Sequence, residues 1–124
     1  MTIPFLDLGP VHAEIRAELD AAIERVVDRG SYVLGEEVAL FEQEFAAFCG
    51  TQHCVGVASG LDALHLALRA YGIGPGHEVI VPAFTFVATW LAVTHAGAHP
   101  VAVDVEASNG NIAPSLIALS LIHI

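Results

Sequence analysis

From His53 to Val105 the chain reads HCVGVASGLDALHLALRAYGIGPGHEVIVPAFTFVATWLAVTHAGAHPVAVDV. Short apolar segments in it alternate with longer amphipathic segments, which predicts strands joined by helical crossovers. The predicted strands are 53–58, 78–81 and 100–105, and the predicted helices are 60–71 and 85–96. Continuously apolar strands are typical of a parallel sheet covered by helices on both faces. The sequence therefore predicts an α/β fold with three parallel strands in this chain.

Two further helices are predicted upstream, over 10–29 and 36–49, because apolar residues recur there at the spacing of one helical face. Each is followed by a glycine, Gly30 or Gly50, which suits the position just past a helix end. We therefore predict a helical segment at 1–50, a β-α-β-α-β region at 51–112 and a divergent apolar tail at 113–124. The uncharged tail suggests a truncated or artefactually terminated reading frame.

The charge balance excludes some partners. Fourteen acidic residues stand against four arginines, the chain contains no lysine, and the formal charge is −10. Such a surface repels phosphate backbones and anionic lipid, so no nucleic-acid partner is expected. The lack of lysine also means that this chain cannot form a Schiff base through a lysine side chain.

The uncharged stretch 79–103 has 25 residues, long enough to cross a bilayer core of about 30 Å. Pro82, Gly97 and Pro100 interrupt it, and no basic residues flank it, so no membrane partner is predicted. The first residues lack the pattern of a signal peptide, which predicts a cytoplasmic location.

Cysteine and histidine give no metal or disulfide signal. Cys49 and Cys54 fit neither a disulfide framework nor a zinc pattern, so we expect free thiols. His95 and His99 have the spacing of metal ligands on a helix, but Gly97 lies between them. No metal site is predicted.

The turn before the first crossover helix, Ala58-Ser-Gly-Leu-Asp-Ala63, is the strongest local signal. Ser59 suits a helix N-cap, and Asp62 completes a pattern like a capping box. Gly60 permits close backbone approach, and free amides at a helix start attract phosphate. These residues by themselves fit a phosphate site or simply a well-capped helix.

Two other features of the sequence are explained by the fold and need no ligand. The segment 72–76, GIGPG, follows a helix and precedes a strand, the reverse of a dinucleotide-binding fingerprint, so it is predicted to be a turn. Phe86 and Trp90 lie four residues apart on one predicted helix, and by that spacing alone both are expected in the core.

Three motifs taken in order point to a family: SGLDALHLAL at 59–68, GPGHEVIVPAFTFVAT at 74–89 and GAHPVAVDV at 97–105. From Phe5 to about Ile112 the chain resembles the opening part of the DegT/StrS family of pyridoxal-phosphate-dependent sugar aminotransferases. The resemblance implies part of the large domain of a fold type I transferase, with a mostly parallel sheet, in a homodimer. It also implies that an amino group moves from glutamate or glutamine to a nucleotide-linked keto-sugar, in polysaccharide or antibiotic sugar biosynthesis.

The same resemblance implies roles for three residues. Gly60 and Leu61 occupy the turn whose backbone amides hold the cofactor phosphate, and Phe86 occupies the position that stacks on the pyridine ring. Leu61 stands where the family usually has threonine. No catalytic residue is assigned, because the family's lysine and its pyridine-pairing aspartate lie beyond residue 124.

We therefore expect the chain alone to be inactive. Alternatives are a non-enzymatic fragment or interaction module, and a related pyridoxal-phosphate-dependent sugar dehydratase. A nucleotide-binding α/β domain of another enzyme is a further alternative, against which the lack of G-x-G-x-x-G after a strand argues.

Overall fold

The computed structural model describes residues 4–120, which fall into two compact units divided between Gly56 and Val57. The elements in chain order are α1 Gly9–Glu14, α2 Arg16–Arg29, α3 Glu36–Cys49, α4 Gly60–Ala70, β1 Glu78–Pro82, α5 Ala88–His95, β2 His99–Val103 and α6 Pro114–Ser120. The predicted domain boundaries at 50 and 112 stay predictions.

The first unit contains α1, α2 and α3. The predicted helix 10–29 is divided at Ile15, whose backbone leaves the helical region with φ −105° and ψ 11°. The apolar periodicity continues across this residue, so a pattern of 3.6 residues per turn cannot detect the break. Helix α3 has the predicted bounds, and it ends at Gly50 with φ 68° as α2 ends at Gly30 with φ 64°. In this left-handed conformation, each glycine N–H donates to carbonyls of the last turn.

The predicted strand 53–58 is wrong. Within residues 4–120 this segment pairs with no strand, and the sheet has two strands rather than three. A strand needs ladder partners for its N–H and C=O groups. Here the Gly56 N–H donates instead to Glu42 Oε1 at 2.7 Å, inside the first unit.

The second unit contains the sheet. Strands β1 and β2 are parallel, with Ile80 opposite Val101, which confirms the α/β class with a parallel sheet and flanking helices. Its core is Val81, Val93 and Ala98, with Trp90 and Leu68 among the half-buried residues packed against it. Helix α4 packs against α5, α5 packs against both strands, and α6 packs against β2.

The ends of several elements differ from prediction. Strand β2 stops at Val103, and Val105 instead forms one antiparallel bridge with Ile112. Part of the expected tail is helical, since α6 begins at Pro114, whereas residues 121–124 lie outside the described part. Among the described residues, no helix combines the length and apolar character needed to cross a membrane.

Candidate functional site

The start of α4 is capped by Ser59, as predicted. Ser59 Oγ accepts the Asp62 N–H at 3.1 Å and donates to Asp62 Oδ2 at 2.8 Å. The Asp62 carboxylate therefore bonds to the serine hydroxyl and not to the serine backbone, so the motif is half of a capping box.

The next two amides of the turn are free. Within residues 4–120 the Gly60 and Leu61 N–H groups donate no hydrogen bond. A Cβ built on Gly60 would meet no atom within 4 Å, so the space beside it is open. The turn thus presents two donors at the positive end of a helix of 11 residues.

Phe86 lies in the turn before α5. Residues 85–87 belong to this turn, so α5 begins at Ala88, later than predicted. The Thr89 N–H donates to the Phe86 carbonyl at 3.1 Å. Phe86 is 77% exposed, which overturns its predicted core position, whereas Trp90 packs against the core as predicted.

The packing of α4 against α5 brings the two turns to one open pocket of about 840 Å³. The pocket is lined by Ser59, Gly60, Leu61, Ala63, Leu64, Phe86, Val87, Ala88, Thr89 and Leu91. All three residues singled out from the sequence, Gly60, Leu61 and Phe86, therefore lie around the same cavity. Their assignment to a cofactor stays a prediction.

Thr89 was missed by the sequence analysis. Its hydroxyl shares a hydrogen bond with the Thr85 hydroxyl, with 3.1 Å between the oxygens. The signal that could have found it is the spacing of Thr85 and Thr89, since residues four apart face each other on the helix predicted over 85–96, although Thr85 lies in the turn before α5.

The donor set suits a flat anionic ligand. In the part of the chain that the structure describes, the unpaired donors include the Gly60 and Leu61 amides, whereas the Ser59 hydroxyl already donates to Asp62. The apolar lining includes the exposed Phe86. Charged side chains do not line this pocket. No group of three metal-ligating side chains occurs among the described residues.

Two curated relatives cover nearly the whole chain. The dTDP-3-amino-3,4,6-trideoxy-alpha-D-glucose transaminase of Streptomyces venezuelae is 56% identical over 115 residues, 93% of this chain and 30% of that protein. The dTDP-3-amino-3,6-dideoxy-alpha-D-galactopyranose transaminase of Aneurinibacillus thermoaerophilus is 49% identical over 112 residues, 90% of this chain and 31% of that protein. The chain thus spans about a third of the length of these relatives.

A solved structure is similar to this chain in the same way as the two curated relatives. The crystal structure of S. venezuelae DesV in complex with a ketimine intermediate superposes with a TM-score of 0.89 at 55% identity. The match covers 95% of this chain and 32% of DesV. In addition, the sequence profile of the DegT/DnrJ/EryC1/StrS aminotransferase family matches residues 13–121. The motifs, the fold and the profile agree, and the chain belongs to the DegT/DnrJ/EryC1/StrS aminotransferase family.

Proposed function

We propose that this chain supplies the phosphate turn and the ring-stacking face of a pyridoxal-phosphate-dependent aminotransferase acting on a nucleotide-linked keto-sugar. The observation that carries the proposal is the shared pocket of Gly60, Leu61 and Phe86. The residues that line it include Gly60 and Leu61, whose amides have no hydrogen-bond partner in the described part of the chain, and the exposed Phe86. Relatives named as sugar-nucleotide transaminases support the substrate class.

Each part of the pocket has a distinct task in this proposal. The Gly60 and Leu61 N–H groups donate to the cofactor phosphate, with the helix dipole favouring the negative charge. Ser59 holds the turn through its two hydrogen bonds with Asp62. The face of Phe86 orients the pyridine ring and excludes water from it. When bound, the cofactor supplies the electron sink that amino transfer needs.

The amino donor in this proposal is glutamate or glutamine, and the active assembly is a homodimer. We also propose that the 124 residues alone do not catalyse the reaction. The sequence contains no lysine, so no lysine side chain is available to attach the cofactor or to move a proton at its reacting carbon. The cytoplasmic location stays a prediction from the sequence.

A binding experiment tests the proposal on the chain itself. Titration with pyridoxal 5'-phosphate, followed by calorimetry, should show saturable binding that Phe86→Ala weakens. Phe84→Ala is the matched control, because Phe84 is also 77% exposed but does not line the pocket. Equal losses in the two variants, or equally tight binding of NAD, would contradict the proposal.

The mode of binding is tested separately. Borohydride reduction of the mixture followed by mass spectrometry should show no stoichiometric adduct on an internal residue, because no lysine is present. Such an adduct would refute the claim that this chain holds the cofactor through hydrogen bonds and stacking alone.

A further inference from the structure

We infer that Thr89 is a positioning residue, which acts through Thr85 to hold the Phe86 ring toward the pocket. The inference rests on the proposed function, because it concerns the stacking face that function needs. It assigns Thr89 no direct contact with a ligand.

Two hydrogen bonds join Thr89 to the turn. Its N–H donates to the Phe86 carbonyl at 3.1 Å, and its hydroxyl bonds to the Thr85 hydroxyl at 3.1 Å. Phe86 is therefore connected to Thr89 in two ways, through its own carbonyl and through the preceding residue, Thr85. The N-cap residue of α5, Val87, offers no side-chain hydrogen bond, so the two bonds of Thr89 are the ones that connect the first turn of α5 to residues 85 and 86.

Burial explains why these bonds matter. Phe86 is 77% exposed, so side-chain packing does not determine its orientation. Thr89 is half-buried, and one turn further along α5 lie Ala92 and Val93, exposed by only 1% and 2%. Thr89 also lines a second, apolar cavity of about 300 Å³, to which α4, β1 and α5 contribute. The rigid core thus restrains Phe86 through Thr89.

The choice of variants separates positioning from contact. Thr89 lines the pocket, so direct contact between its hydroxyl and a ligand is the competing explanation, whereas Thr85 does not line the pocket. If Thr89 acts through Thr85, the variants Thr89→Val and Thr85→Val should have the same effect. The double variant should then be no worse than either single one.

The experiment uses the 124-residue chain with and without pyridoxal 5'-phosphate. Without it, ¹⁵N relaxation should show greater mobility of the Phe86 amide in Thr89→Val and Thr85→Val. With it, binding should weaken about two- to tenfold, the range for losing one neutral hydrogen bond. The upfield ring-current shift of the ligand's pyridine proton should also shrink. Thr89→Ser should restore all three readouts.

Thr94→Val is the matched control. Thr94 lies on the same helix, and within residues 4–120 its hydroxyl bonds only to the carbonyls of Trp90 and Leu91 on that helix. We expect Phe86 order and ligand affinity to match the wild type in this variant. If Thr89→Val fails to fold, the exposed Thr85→Val breaks the same bond without disturbing the core.

Several outcomes would overturn the inference. Unchanged Phe86 order in both valine variants would refute it, whether or not the ligand binds. Weaker binding in Thr89→Val alone, with Phe86 still ordered, would mean that the hydroxyl contacts the ligand directly. If the wild-type chain does not bind pyridoxal 5'-phosphate, the proposed function is refuted. In that case, greater mobility of the Phe86 amide in both valine variants would still support the restraint by Thr89.

Discussion

The two units of the chain differ in what stabilises them. In the described part of the first unit, residues 4–56, only Ala46 is buried, and charged pairs join α2 to α3 at the surface. The second unit, described over 57–120, has an apolar core around Val81 and Val93 beside a parallel sheet. Local signals thus shape the first unit, and packing between distant segments shapes the second.

This difference bears on the candidate site. The pocket lies in the second unit, where α4 and α5 pack together and α5 contacts both strands. A binding constellation needs such support, because side chains on a rigid scaffold lose less entropy when a ligand binds.

Val81→Asp should destabilise the second unit by about 3–5 kcal/mol, because it leaves a buried charge without a partner. The side chain of Val81 is only 2% exposed. Chemical denaturation followed by fluorescence of Trp90, the one tryptophan, measures this. Val38→Asp on α3, where Val38 is 36% exposed, is the control and should shift the same transition by less than about 1 kcal/mol. Equal losses of unfolding free energy in the two variants would show that the two units unfold together, and the inferred difference between the units would then be wrong.

Gly60→Ala should weaken binding of pyridoxal 5'-phosphate about ten- to a hundredfold while the fold remains as stable as before. A methyl group there meets no protein atom, so the free chain tolerates it. It would, however, occupy the space through which a phosphate approaches the free amides, and hydrogen bonds to a charged group are worth about 1.5–3 kcal/mol. Calorimetric titration and thermal unfolding of the same sample give both quantities. A variant that loses stability instead would mean that Gly60 serves the fold.

Leu61→Thr should tighten the same binding by about tenfold or somewhat less. The new hydroxyl can donate to the phosphate, although water already replaces part of that bond. Leu61→Ala is the control and should change the affinity little, since the backbone N–H remains. If the threonine variant binds no better, the turn does not hold phosphate in the way proposed.

Glu37→Gln should produce the smallest effect. The hydrogen bond from Arg25 lowers the pKa of Glu37 below its ordinary value of 4.5; desolvation opposes this, and the charges of Arg25 and Arg29 add to it. A carboxylate with a lowered pKa in the folded state stabilises above the unfolded value, and this contribution disappears as the pH falls through the folded pKa. Salt screens such exposed pairs, so the effect is small.

The measurement is circular dichroism of helix content against denaturant at several pH values. Wild-type stability should fall as the pH drops below about 4.5, and Glu37→Gln should flatten that part of the profile. Glu44→Gln on the same helix, a residue without an ion pair among those described, should leave the profile as it is. An unchanged profile in Glu37→Gln would show that the pair contributes nothing to the first unit.

Sequence reasoning succeeded where the signal was local. The bounds of α3, the glycine ends of α2 and α3 and the Ser59 cap each depend on a few consecutive residues, and the structure has all of them. The parallel pairing of β1 with β2 also followed from the alternation of strands and helices. Family motifs then singled out three residues that lie around one cavity.

Other features depended on partners far away in the chain. The segment 53–58 has the composition of a strand, yet a strand forms only where another offers a ladder, and Gly56 bonds to Glu42 instead. Spacing placed Phe86 in the core because periodicity records only which face a side chain occupies, and not whether a neighbour covers that face.

The residues alone were enough to predict α3, the glycine ends of α2 and α3, the α/β class and the family. The number of strands, the exposure of Phe86 and the hydrogen bond between the Thr85 and Thr89 hydroxyls became visible only in the folded chain. The physical reason is that caps and periodicity are satisfied within one turn of chain. Strand pairing, burial and pockets form only when segments that are distant in sequence come into contact.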